Sequence, residues 1–80
     1  MNYIKHPKTV VQLAAEIKKA CDAYWTTKDL SEIELKELIY TWAGTGKLIQ
    51  GNDINRSIKK IIGKSRVELV KKMLEGFKKF

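Results

Sequence analysis

Apolar residues recur at three- and four-residue steps along nearly the whole chain, and strand-like alternation is nowhere sustained. Val10, Leu13, Ala14, Ile17, Ala20, Cys21 and Tyr24 fall within an arc of about 100° when placed at ~100° per residue. Trp25 lies at the edge of that arc. Thr9 and Gln12 have capping-box spacing, so the pattern predicts a helix over about 9–26. Ser31 and Glu34 repeat the spacing, ahead of Leu35, Leu38, Ile39 and Trp42. They predict a second helix over 32–43 with Gly44 as a left-handed stop. A smaller stripe on that helix joins Ile33 to Tyr40, seven residues on.

Residues 44–52 hold three of the five glycines and form the main break in the chain. Leu48 and Ile49 are expected to plug the core from this connection. Asn52 or Asp53 would then cap a short helix over 53–62, with Ile54, Ile58, Ile61 and Ile62 inward and Gly63 as its stop. Ser65 and Glu68 offer a third capping box. The last helix is expected over 66–78, with Val67, Val70, Met73, Leu74 and Phe77 inward. The predicted fold is all-α: a compact bundle of four helices, with a Gly-rich connection at 44–52, in one domain spanning residues 1–80.

Composition narrows the chemistry. Eighty residues make one domain with a thin core. One cysteine allows no internal disulfide, and one histidine beside it falls short of a structural zinc site. No apolar run reaches the ~20 residues of a membrane span, and the first eight residues are too polar for a signal peptide. These features point to the cytoplasm. No cofactor and no small-molecule substrate is expected.

Charge adds the clearest functional hint. Residues 1–40 carry six lysines and six acids. Residues 41–80 carry ten Lys plus Arg against three acids, so the whole net charge of +7 sits in the second half. Arg56, Lys59 and Lys60 lie opposite the isoleucine face of the third helix. Lys71, Lys72, Lys78 and Lys79 share one arc of the fourth. Lys47 and Lys64 flank these helices and Arg66 opens the last one. Clustered cations of this kind bind polyanions by releasing counterions. The same lysines also serve as an ordinary solvated face, or as a surface for an acidic protein.

Sharper motifs fit less well. Gly63 suggests a helix-turn-helix, in which Arg66, Lys71 and Ser65 would face the groove, but Lys59, Lys64 and Lys72 occupy positions that motif keeps small or apolar. Gly44-Thr45-Gly46-Lys47 lacks the earlier glycine and the following Ser or Thr of a phosphate loop. Cys21 lies on the apolar arc and reads as core. His6 is expected to be exposed. Glu34 and Glu37 read as solvated carboxylates, and no nucleophile–base arrangement stands out, so the chain is read as non-catalytic. Trp25 and Trp42 read as core packing, with exposure of part of the set Trp25, Trp42, Tyr24 and Tyr40 as the alternative. Tyr40 with Ile33 is a candidate protein contact, or a stacking platform for single strands.

Tyr24-Trp25, Ser31 with Glu34-Leu35-Lys36, Trp42-Ala43, Gly51-Asn52-Asp53 and Ile61-Ile62-Gly63-Lys64 give the chain a further aspect. With these pieces it resembles short uncharacterised proteins of low-GC Gram-positive bacteria and their phages. That resemblance brings no functional residue. It implies a cytoplasmic, phage-linked setting and favours a small regulator or an inhibitor of a host protein.

The sequence therefore predicts a nucleic-acid-binding module, for DNA or RNA, using Lys47, Arg56, Lys59, Lys60, Lys64, Arg66, Lys71 and Lys72. Replacing Lys59, Lys60, Lys71 and Lys72 by Glu is expected to abolish binding and spare the fold. The alternative is a protein-interaction module or phage-type inhibitor that binds an acidic host protein through Ile33, Tyr40 and the lysines. A homodimer burying the same stripe is a third reading.

Overall fold

Side-chain caps fix where the first two helices begin. In a computed structural model describing residues 3–75, Thr9 Oγ1 accepts from the Gln12 N–H at 3.0 Å and starts α1 (Val10–Asp22). The Gln12 side chain reaches one residue further back than a full box requires, accepting from the Lys8 N–H at 2.8 Å. Ser31 and Glu34 do complete a reciprocal box, at 3.2 and 3.1 Å, ahead of α2 (Glu32–Ala43).

The helix predicted over 9–26 changes character before its end. Ala23–Thr27 form a π-helical turn, closed by Lys28 in the left-handed region at φ 56°. Lys28 is the one non-glycine residue at positive φ among those described. A wide turn of this kind leaves the regular 3.6-residue register. Trp25 departs from the buried face there and is 42% exposed.

The connection after α2 is more ordered than its glycines suggest, and the fold is not purely helical. Gly44 ends α2 in ordinary helical geometry at φ −68°, not as a left-handed stop. Its N–H donates to the Tyr40 carbonyl. A small antiparallel hairpin follows, β1 (Ile49–Gln50) with β2 (Asp53–Ile54), paired Ile49 to Ile54 and Gln50 to Asp53. Gly51 takes φ 65° at the first central position of the two-residue turn, which suits glycine. The Asn55 N–H donates to the Leu48 carbonyl at 2.8 Å and extends the pairing. Leu48 is fully buried, as expected, and Ile49 packs partly against the core.

The hairpin delays the third helix. α3 spans Arg56–Ile62 rather than 53–62, and its cap is Asn55, whose Oδ1 accepts from the Ser57 N–H. Asn52 sits in the turn and Asp53 in a strand, so neither caps it. Ile54 reaches the core from β2, and Ile61 is 38% exposed instead of inward. Gly63, at φ 87°, both ends α3 and opens α4 (Lys64–Met73). Because α4 starts two residues before the predicted 66, Ser65 lies inside it and forms no capping box with Glu68. Phe77, Lys78 and Lys79, expected on the last helix, lie outside the described residues.

α1 and α3 pack along one another, and α2 and α4 close the other side. The core joins Leu13, Ile17, Leu35, Ile39, Trp42, Leu48, Ile58, Ile62, Val70 and Leu74, each nearly or fully buried. Cys21 is buried among them, and burial pushes its thiol up to about 12. Residues ahead of α1 act as a strap. The Ile4 N–H donates to Glu16 Oε1 at 2.8 Å, and the Trp42 Nε1–H donates to the Ile4 carbonyl at 2.8 Å. The strap satisfies a buried carboxylate and a buried indole at once, which removes the cost of leaving either unpaired. Lys19 pairs with the other Glu16 oxygen at 3.1 Å.

Candidate nucleic-acid interface

Helical geometry sets out the cations of the second half. Ile58 and Ile62 anchor α3 in the core, so Arg56 and Lys60 fall on its opposite face and are exposed. Val67, Val70 and Met73 anchor α4, which leaves Lys64, Lys71 and Lys72 outside. Lys47 sits in the turn before the hairpin, half-buried.

The eight predicted cations separate into two groups. Lys59 Nζ is hydrogen-bonded to Asp53 Oδ2. Lys71 Nζ approaches the other oxygen of the same carboxylate at 3.5 Å. These contacts, with the Lys59 hydrogen bond and the Ile54 N–H foremost, lower the Asp53 carboxyl from its ordinary 3.8 to about 2. Arg66 is held most firmly. Its Nε and Nη2 donate to Asp22 Oδ1 at 3.1 and 2.7 Å, and its Nη1 donates to the Ile62 carbonyl at 2.9 Å. These three cations join elements together: Lys59 and Lys71 link the hairpin to α3 and α4, and Arg66 links α4 to the end of α1. The groove-facing role that a helix-turn-helix would give Arg66 and Lys71 is therefore taken up by internal pairing. Reversing Lys59 and Lys71 would gather three carboxylates at Asp53, so those two positions change an internal contact as well as the surface.

Lys47, Arg56, Lys60, Lys64 and Lys72 have no ionic partner among the described residues. They remain available to an anion.

The proposed Ile33 and Tyr40 stripe is divided. Ile33 is 71% exposed, in a shallow groove of about 290 Å³ with Glu32, Lys36, Lys72, Met73 and Glu75. Tyr40 packs partly against the core, its hydroxyl donates to the Glu75 carbonyl at 3.1 Å, and Lys36 Nζ lies 5.7 Å from its ring centroid. Of the two residues, Ile33 is the one that presents a free apolar surface.

No local pattern points to Asp22 and Asp53 as partners of the basic surface, and the structure takes the second of the two alternatives for Trp25, its exposure. The arc-edge position of Trp25 was the one signal for the latter. His6 is exposed as expected, and no group of three His, Cys, Asp or Glu residues among those described is placed to hold a metal. Among the described residues no helix is long and apolar enough to cross a membrane.

Residues 4–75 match the profile of a family described as a conserved hypothetical protein. The chain belongs to that family. The family's clostridial-type name agrees with the low-GC Gram-positive part of the resemblance drawn from the sequence. The family match runs from the strap through α4, so it takes in both the paired and the unpaired cations. No curated protein and no solved structure matches the chain.

Proposed function

We propose that the chain is a non-catalytic binding module for nucleic acid. The observation that carries this is the set of five cations, Lys47, Arg56, Lys60, Lys64 and Lys72, that make no ion pair among the described residues, in a half of the chain where ten Lys plus Arg stand against three acids. Evenly paired charges would suit plain solubility. An unneutralised excess confined to one half of the chain suits a polyanion. None of the five is part of a built base-reading site, so phosphate contacts supply the affinity and sequence preference is weak. A cytoplasmic, phage-linked setting belongs to the same reading, resting on the buried free thiol and on the resemblance stated above.

The test is binding to mixed-sequence single- and double-stranded DNA and RNA across a salt series. If all five cations meet phosphates of a duplex, log K falls against log salt with a slope of about −4 to −5. Arg56, Lys60, Lys64 and Lys72 changed together to Glu should abolish binding while the helical circular dichroism persists. No binding even at low salt, or full binding by that variant, overturns the reading.

One observation favours a second reading, a protein-interaction module for an acidic host protein: Ile33 is 71% exposed beside Lys36 and Lys72. On that reading Ile33→Asp weakens the complex and leaves nucleic-acid binding unchanged. A homodimer through the same groove would show as concentration-dependent sedimentation that Ile33→Asp removes.

A further inference from the structure

The π-helical turn after α1 opens a recess that the basic surface does not include. Tyr24, Trp25, Lys28, Leu30 and Ser31 line it, with a volume of about 410 Å³. Three observations meet here. Trp25 is 42% exposed, although a tryptophan in so small a chain would ordinarily be drawn into the core, as Trp42 is at 0%. The turn that exposes it combines π-helical geometry with a lysine held at φ 56°, a backbone conformation that L-residues rarely adopt. The turn also follows directly from Asp22, the carboxylate that holds Arg66. Residues three apart along a helix lie about 5–6 Å from each other. The recess thus begins about one turn beyond the Asp22–Arg66 pair, and Lys28 lies in its own wall.

The recess carries little net charge, because Lys28 is its one ionic side chain. An aromatic recess with a single lysine in its wall matches the two parts of a nucleotide: an uncharged base with a planar face, and a charged phosphate. A base inside a duplex cannot reach such a recess, whereas an unpaired one can.

We propose that Trp25 is a stacking platform for an unpaired base of single-stranded nucleic acid, with Lys28 in the wall of the same recess taking the neighbouring phosphate. This rests on the polyanion reading above and narrows it to single strands.

The experiment follows tryptophan fluorescence of the full chain during titration at low salt. The probes are oligothymidylate, its duplex with oligoadenylate, and inorganic polyphosphate. Because Trp42 is fully buried, quenching on binding reports Trp25. Oligothymidylate should quench the emission, and polyphosphate should bind without quenching. Trp25→Leu should weaken oligothymidylate binding on the order of 10-fold, with duplex and polyphosphate binding unchanged. Trp25→Phe, which keeps a ring, should recover most of the loss. If Trp25→Leu binds oligothymidylate like the parent chain and no probe quenches, the stacking role is overturned while the polyanion reading stands. If none of the three probes binds, the polyanion reading itself falls and takes the platform with it.

Discussion

The two tryptophans occupy opposite environments, and the contrast separates what holds this molecule together from what it offers to a partner. Trp42 lies at 0% exposure in the last turn of α2, its ring edge-on to Tyr3 with centroids 6.3 Å apart, and its indole N–H is satisfied by the strap. Trp25 stands 42% exposed on a turn that has left the regular helical register. Helical spacing alone would put both on apolar faces. What distinguishes them is whether the backbone keeps its 3.6-residue period as far as the residue, and whether a polar partner waits for the indole nitrogen.

The sharpest way to break this contrast is Trp42→Ala. It removes the largest buried side chain and orphans the Ile4 carbonyl, so a loss of about 3–5 kcal/mol is expected. A domain of this size has about that much stability in total, so urea denaturation should find the variant largely unfolded. Trp25→Leu should shift the same midpoint very little.

Cys21 extends the comparison within α1. Its thiol should resist alkylation until denaturant unfolds the chain, because it is both buried and pushed up to about 12. A thiol held neutral in the fold contributes stability below its ordinary value of 9.0 that is lost as pH rises towards 12. Cys21→Ala should therefore flatten the alkaline limb of a stability curve. Rapid labelling of the native protein would contradict this placement.

Arg66→Ala should cost about 1 kcal/mol, since the pair with Asp22 is partly exposed and solvent screens it. The loss should appear chiefly as faster amide exchange around the π-helical turn, next to Trp25 and away from Trp42.

Asp53 adds an acidic counterpart. Its carboxyl is lowered from 3.8 to about 2, so its contribution is present above pH 4 and fades as pH falls through 2. Asp53→Asn should remove that part of the acid dependence. An unchanged acid limb would mean that Lys59 and Lys71 do not hold the carboxylate in solution.

The smallest effect is expected from Lys28→Gly. It relieves the left-handed backbone but loosens the unfolded chain, for a net gain below about 1 kcal/mol. Melting temperature measures it, and a clear loss would show that the lysine side chain supports the turn.

Much of the helical frame was legible because its signals are local. Ser31 and Glu34 are three residues apart and complete the expected box, and Leu13, Ile17, Leu35 and Ile39 follow the period that buries them. The hairpin was harder to see. Gly51-Asn52 is a recognised two-residue turn, but strands of two residues are too short for alternation to register. Ile54 kept its expected burial while changing element, and Ile61 lost its place once α3 began at Arg56. The basic surface was legible as a set of charges. Its division was not, because Asp22 lies 44 residues from Arg66 and no local pattern announces that pairing.

The strap gives the core a hinge that belongs to no helix. Ile4 holds Glu16 through its N–H and Trp42 through its carbonyl, across sequence separations of 12 and 38 residues. Lifting these few residues opens a path for solvent to a buried carboxylate and a buried indole while the helical ladders stay closed. Deuterium should therefore enter at the Trp42 indole well before it reaches the Ile17 amide, in an opening that costs less than global unfolding. Equal rates at the two positions would mean that strap and core open as one unit.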